Sequence, residues 1–165
     1  MDSIRIFGYK SFKKLSVQLH PINLLIGANG AGKSNFLSLF EMLGNIYEKR
    51  LGAYVAQVGG VDKLLYQGRK VTDRIAVNLL IAKSEYDLAL LESDGKLIVE
   101  REAIGCYDDV CPLDLVRKNV ITEYQNESSL KDHKEEDLSN YISQIRKFHF
   151  HDTGRRSPFT ADSHI

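Results

Sequence analysis

The stretch that decides the fold is a short apolar run joined to a glycine-rich loop, Ile22-Asn23-Leu24-Leu25-Ile26-Gly27-Ala28-Asn29-Gly30-Ala31-Gly32-Lys33-Ser34. Residues 22–26 are almost continuously apolar, which predicts a buried central strand of an α/β sheet. Three glycines within residues 27–32 predict a loop. After the loop, the spacing of the apolar residues changes to that of a helix. This predicts a helix over residues 33–50 that packs on the strand. The apolar stripe of that helix consists of Phe36, Phe40, Leu43 and Tyr47.

The loop matches the pattern G-x-x-x-x-G-K-[ST] at every fixed position of residues 27–34. Glycines let successive backbone N–H groups turn inward toward phosphate oxygens, and the helix start adds its positive dipole end. In this pattern Lys33 reaches the β- and γ-phosphates, and the hydroxyl of Ser34 ligates Mg²⁺. A glycine-rich turn that binds nothing is the weaker alternative, because a strand precedes the loop and a helix follows it.

We therefore predict a chain that binds ATP together with Mg²⁺, with Ser34 as the magnesium ligand and Lys33 as the catalytic candidate. The predicted nucleotide-binding residues are Gly27, Ala28, Asn29, Gly30, Ala31, Gly32, Lys33, Ser34 and Asn35.

Composition excludes other classes of protein. The 165 residues carry 22 Lys and Arg against 22 Asp and Glu, so the formal net charge is zero. This balance excludes a protein that binds nucleic acid by bulk charge, although it allows a local basic patch. Lys10, Lys13 and Lys14 lie close together and are interpreted either as a solvated loop or as contacts to nucleotide or DNA backbone. No apolar run reaches membrane-spanning length and no signal peptide is recognisable, so we expect a cytoplasmic protein without a membrane partner.

The remainder of the chain divides by pattern. Residues 1–50 form the lobe with the glycine-rich loop. Alternating apolar residues predict an antiparallel meander over about 71–104, with a hairpin turn at Asp94-Gly95. We predict a polar helical segment followed by a strand over residues from about 113 to 153, and an irregular tail over residues 154–165.

The segment I-N-L-L-I-G-A-N-G-A-G-K-S-N, residues 22–35, resembles the phosphate loop of the ABC-type ATPases of the SMC and RecF group. The segment Gly8-Tyr9-Lys10-Ser11-Phe12 is similar to the aromatic-Lys-Ser-Phe element that opens SMC-like heads. More narrowly, the chain resembles the N-terminal part of predicted bacterial AAA-type ATPases of the OLD-related kind. This resemblance implies a P-loop NTPase fold with a mixed sheet, and ATP hydrolysis in DNA repair or phage defence. It also implies a homodimer in the full-length form, with nucleic acid or a nuclease as the further partner.

Two motifs of the resembled group are missing. Hydrolysis there needs four apolar residues followed by Asp and Glu, whereas Leu88-Ala89-Leu90-Leu91-Glu92 runs into Ser93 and a turn, which favours a meander strand. No Leu-Ser-Gly-Gly-like signature is found. We therefore expect residues 1–165 to be an incomplete P-loop ATPase domain. The alternatives are a non-catalytic nucleotide-binding or regulatory module and, less favoured, a fragment of an ABC transporter ATPase.

The segment Phe148-His149-Phe150-His151-Asp152-Thr153 is similar to a motif that lies just before the helical lid of the resembled family. ABC-type enzymes place there the Gln that senses Mg²⁺ and the γ-phosphate. By that analogy His151 and Asp152 are candidates for the equivalent of this Gln. A purely structural role is the stronger interpretation, and a metal site that adds His149 is the third.

Overall fold

The computed structural model describes residues 2–81, 84–106, 117–133 and 136–144. The strands are β1 (Asp2–Tyr9), β2 (Phe12–Leu19), β3 (Arg74–Ile81), β4 (Ser84–Ser93), β5 (Lys96–Cys106) and β6 (Arg117–Gln125). The α-helices are α1 (Lys33–Tyr47), α2 (Leu51–Gln57) and α3 (Glu136–Ser143), with short 3₁₀ turns at Val61–Lys63 and Leu130–Asp132. None of the helices in this described part combines the length and apolar character that crossing a membrane needs.

All six strands pair antiparallel in one sheet, in the order β2-β1-β3-β4-β5-β6. The predicted meander is confirmed as β3, β4 and β5. Its hairpin turn is also confirmed, because Ser93 pairs with Lys96 and the two residues between them, Asp94 and Gly95, have φ angles of 51° and 78°. Positive φ at both central positions matches the right-handed twist of the strands, which is why Asp-Gly is a strong hairpin signal.

The sheet has a covered face and an open face. Alternation in β1 buries Ile4 and Ile6 on the covered face, while Arg5 and Phe7 lie on the other side. Helices α1 and α2 contribute to the same buried cluster as the covered face. The predicted helix stripe is correct in part: Phe36 and Leu43 are buried, whereas Phe40 and Tyr47 are only partly buried. The deepest positions of α1 are Leu39, Met42, Leu43 and Ile46.

The predicted central strand at residues 22–26 is wrong for this structure. These residues belong to no strand, and Ile22, Leu24 and Ile26 are 89%, 81% and 84% exposed. The six described strands are hydrogen-bonded to one another, and no strand among the described residues runs beside this segment. The predicted mixed sheet is therefore an antiparallel sheet instead, and an apolar run that suits a buried strand lies in solvent.

Two further predictions are corrected. The segment predicted as polar and helical from residue 113 contains strand β6, and within the described residues its helical parts are the 3₁₀ turn at Leu130–Asp132 and α3. As the edge strand next to β5, β6 pairs on one side only, so polar and charged residues are tolerated at its exposed positions. The helix predicted over residues 33–50 ends at Tyr47, because Lys49 adopts a left-handed φ of 55° before α2 begins.

Two carboxylates connect the loop after β6 to its surroundings, one on the sheet and one in the loop itself. Glu102 on β5 is fully buried and accepts hydrogen bonds from Tyr86 Oη (2.5 Å), Ser128 Oγ (2.6 Å) and the Ser129 amide (3.0 Å). Burial, followed by the neighbouring Glu102 carboxylate, raises the pKa of Tyr86 well above its usual value, so this phenol stays a hydrogen-bond donor.

The second carboxylate, Glu127, accepts hydrogen bonds from the amides of Leu51 (2.9 Å) and Gly52 (3.4 Å) at the start of α2. We expect Glu127→Ala to lower the free energy of unfolding by about 1 kcal/mol, because two helix amides lose their acceptor. Urea unfolding followed by circular dichroism measures this. Glu127→Gln keeps an acceptor and should recover about half of the loss; no difference between the Ala and Gln variants would contradict the capping role.

Candidate functional site

The glycine-rich loop, residues 27–32, is fully exposed up to Ala31 and turns directly into α1. Gly30 and Gly32 have φ angles of 84° and 95°, a region that glycine enters without steric cost. The amide of Ala31 donates to the carbonyl of Ala28 at 3.2 Å, which closes a tight turn. The loop therefore curls back on itself immediately before the helix begins.

The N-terminus of α1 is open to an anion. Helix α1 starts at Lys33, with Gly32 as its N-cap residue, and no side chain caps its amides. The first amides of a helix have no acceptor within the helix and carry its positive dipole end. The first turn contains no acidic residue that would compete for this position. The start of α1 thus offers unsatisfied donors and positive potential at one exposed point.

Lys33 folds back over the loop. Its Nζ donates hydrogen bonds to the carbonyl oxygens of Gly27 (2.6 Å) and Ala28 (2.7 Å). This places an ammonium group against the first two carbonyls of the loop, on the residue that begins α1. A phosphate would be a stronger partner for this ammonium than two neutral carbonyls, because it adds the attraction between opposite charges to the hydrogen bonds.

The turn between β1 and β2 packs against the end of the loop and the start of α1. Asn35 Nδ2 donates to Ser11 Oγ at 2.9 Å. A Cβ atom placed on Gly32 would lie 3.1 Å from ring atoms of Phe12 and 3.2 Å from Ser11 Oγ. Gly32 is therefore required twice, by its left-handed φ and by this close approach. The Lys-Ser-Phe element singled out in the sequence packs against the glycine-rich loop.

A buried polar cluster below this turn was not predicted from the sequence. Ser38 Oγ on α1 donates to the carbonyl of Asn35 (2.8 Å), so it accepts from both Tyr9 Oη (2.9 Å) and Lys10 Nζ (2.7 Å). Tyr54 Oη donates to the Ser38 carbonyl at 3.2 Å. Burial raises the pKa of Tyr9 and of Tyr54 above their usual value, so both phenols stay protonated donors. The cluster fixes the turn to the first two turns of α1.

An open cleft of about 910 Å³ adjoins this site. Lys10, Ser11 and Asn35 line one part of it, and the segment of residues 62–70 lines the rest. That segment brings Lys63, Arg69 and Lys70 to the cleft, whereas its one carboxylate, Asp62, is ion-paired with Arg69 at 3.3 Å. The cleft is therefore cationic. The sequence marked this segment only by its glycines, and nothing in its pattern indicated that it would lie beside residue 35.

The predicted binding residues thus come together within one loop and one helix turn. Ser34 is exposed in the first turn of α1, and Asn35 is tied to Ser11. Among the described residues no group of three or more His, Cys, Asp or Glu side chains is placed to hold a metal ion. An oxygen donor at Ser34 fits Mg²⁺, which commonly takes one or two protein ligands and completes its shell with phosphates and water. His149, His151 and Asp152 lie outside the described residues.

The family model of the AAA ATPase domain matches residues 1–153, which cover the sheet, the glycine-rich loop and all three helices. No curated protein matches the chain. Because the match spans most of the sequence, the chain belongs to the AAA ATPase domain family.

Proposed function

We propose that the glycine-rich loop and the start of α1 bind the phosphates of ATP as a Walker A site. The observation that carries this proposal is the uncapped N-terminus of α1 with the Lys33 ammonium folded over the loop in front of it. Membership of the AAA ATPase domain family supports ATP as the ligand. In a glycine-rich turn that bound nothing, the loop carbonyls of Gly27 and Ala28 would give no reason for a charged side chain at this position.

Each residue has a separate role in this proposal. The amides of Gly30 and of residues 32–34 donate to phosphate oxygens, and Lys33 exchanges its two carbonyl partners for the β- and γ-phosphates. Ser34 supplies a hydroxyl to Mg²⁺, which when bound offsets the charge of those phosphates. Asn35, held by Ser11, keeps the first turn of α1 in register with the turn between β1 and β2. Lys63 and Lys70 in the adjoining cleft raise the positive potential that attracts the nucleotide.

The larger setting that we propose is an SMC- or RecF-like ATPase of the OLD-related kind. Its full-length form would be a homodimer that couples ATP hydrolysis to DNA repair or phage defence, with nucleic acid or a nuclease as partner. The support for this is the Lys-Ser-Phe turn, which resembles the opening element of SMC-like heads and packs on the loop. In this proposal His151 and Asp152 remain candidates for the residues that sense the γ-phosphate.

A second candidate function is a regulatory module that binds nucleotide without hydrolysing it. It is favoured by the apolar run of residues 88–91, which lies inside β4 of the antiparallel meander and ends at Glu92, whose carboxylate accepts the Gly95 amide in the hairpin. Activation of water needs a general base within reach of the γ-phosphate. A chain without one binds ATP and turns it over negligibly, and phosphate release assays separate the two candidates.

The experiment that tests phosphate recognition is a competition series. A fluorescent ATP analogue is bound to the 165-residue chain in the presence of Mg²⁺, and ATP, ADP, AMP and adenosine are used to displace it. We expect affinity to fall with each phosphate removed, and adenosine to compete at least about 100-fold more weakly than ATP, because charged hydrogen bonds contribute about 1.5–3 kcal/mol each. Equal competition by adenosine and ATP would place recognition on the nucleoside and contradict the proposal.

A further inference from the structure

The open face of the sheet carries a trough of about 610 Å³ that the nucleotide proposal does not use. Every residue that lines it comes from strands β1 to β5. Helices α1 and α2 share the buried cluster on the opposite face, and no helix of the described part lines the trough. Its volume lies in the range of binding sites for small ligands, about 300–1,000 Å³.

One row of side chains crosses the floor of the trough. Consecutive strands place Lys14, Phe7, Ala76, Ala89 and Arg101 directly opposite one another. Five neighbouring strands span about 19 Å. The two alanines are small, so they leave space beside the ring of Phe7, which is 45% exposed. A large aromatic side chain therefore lies accessible on β1, next to the edge strand β2, in a row that has a cation at each end.

Charge in the trough favours an anionic ligand. Arg5, Lys14 and Arg101 line it, and none of the three forms an ion pair within the described residues. The one carboxylate in the lining, Asp87, accepts a hydrogen bond from Asn78 Nδ2 at 2.6 Å. Glu123 on β6 is opposite Arg101, so the cationic character is strongest at the other end, where Arg5 and Lys14 flank Phe7.

We propose that this trough binds single-stranded nucleic acid, with a base stacked on Phe7 and the backbone phosphates beside Arg5 and Lys14. An exposed aromatic ring within a basic groove is the combination that single-strand binding proteins use, because every base offers a face for stacking. A duplex keeps its base faces covered, so it would gain only the phosphate contacts. The site lies on the face of the sheet opposite α1, and it does not depend on ATP binding.

The test is fluorescence anisotropy with a labelled 20-nucleotide oligothymidylate and the 165-residue chain at low salt. We expect Phe7→Ala and Phe7→Leu to weaken binding about tenfold, within the range of about 1–3 kcal/mol per stacked base, and Phe7→Tyr to preserve it. Tyr124→Ala removes another exposed ring, 67% accessible on β6, and should leave affinity unchanged. Arg5→Glu and Lys14→Glu should each weaken binding and reduce its salt dependence.

The proposal would be overturned by no binding of the wild-type chain, by equal binding of the Phe7→Leu and Phe7→Tyr variants, or by equal competition from a duplex or a polyglutamate peptide. Urea unfolding of each variant establishes that the sheet is intact, and Phe7→Leu keeps an apolar side chain if Phe7→Ala does not fold. Lys33→Ala should bind the oligonucleotide as the wild type does. Loss of binding in that variant would assign the phosphates to the glycine-rich loop and overturn the proposal as well.

Discussion

Lys33→Ala is expected to weaken ATP binding by about 100-fold, or about 2.7 kcal/mol. The ammonium is bound by the first two carbonyls of the glycine-rich loop, and in the proposed complex it exchanges them for phosphate oxygens. Its loss removes charge-assisted hydrogen bonds and leaves the helix amides to hold the phosphates alone. Isothermal titration calorimetry with ATP and Mg²⁺ measures the change in affinity.

Two control variants sharpen this prediction. Lys33→Met keeps the length of the side chain without the charge, so it should lose as much affinity as Lys33→Ala if the ammonium is responsible. Lys96→Ala removes an exposed lysine at the start of β5 and should bind ATP like the wild type. Because both partners of Lys33 are exposed loop carbonyls, the variants should unfold within about 0.5 kcal/mol of the wild type. Unchanged ATP affinity in Lys33→Met would contradict the role of the charge.

Gly8→Ala is expected to lower the free energy of unfolding by about 3 kcal/mol or more. Gly8 has a φ of 72°, and a Cβ atom at this position would lie 2.1 Å from the carbonyl oxygen of Arg74 and 2.9 Å from Thr72 Cγ2. The left-handed backbone costs an alanine about 1–2 kcal/mol, and relief of the clash adds about 1–3 kcal/mol. Arg74 begins β3 and pairs with Leu91 of β4, so its carbonyl cannot retreat without disturbing the pairing of β3 with β4.

Urea unfolding compares Gly8→Ala with two other glycine variants. Gly30 also has a positive φ, of 84°, but no atom lies within 4 Å of a Cβ placed on it. Gly30→Ala should therefore lower the free energy of unfolding only by the cost of the left-handed backbone. Gly44→Ala lies within α1 with open space around it and should stabilise the chain by about 0.5–1 kcal/mol. Equal losses in Gly8→Ala and Gly30→Ala would show that the contact with Arg74 has no effect.

Local patterns in the sequence predicted local structure well. The alternation of Tyr86, Leu88 and Leu90 and the Asp94-Gly95 turn predicted β4 and its connection to β5, because strand period and turn chemistry depend on adjacent residues. The same holds for the start of α1, where the change to helical period follows the glycines. The placement of Lys33 and Asn35 beside one loop also follows from their positions along the chain.

Properties that depend on distant partners could not be predicted in this way. Residues 22–26 have the composition of a buried strand, but burial requires neighbouring strands, and the described part of the chain pairs its strands elsewhere. The contact of Ser38 with Tyr9 and Lys10 joins residues 28 and 29 positions apart. Strand β6 was missed because an edge position tolerates charges, although the β-branched residues Val120, Ile121 and Thr122 were the available signal.

The exposed run of residues 22–26 has a consequence for the loop that follows it. The loop is held by α1 and, at Gly32, by Ser11 and Phe12, whereas the described hydrogen bonds of the segment before it are the two between His20 and Asn23. Any strand that paired with this run would order the stem of the loop before a phosphate arrived, and so remove part of the entropic cost of binding. Thermodynamic linkage makes the effect reciprocal: a bound nucleotide would favour the pairing by the same free energy. The run would then transmit nucleotide occupancy to whatever chain segment lies against it.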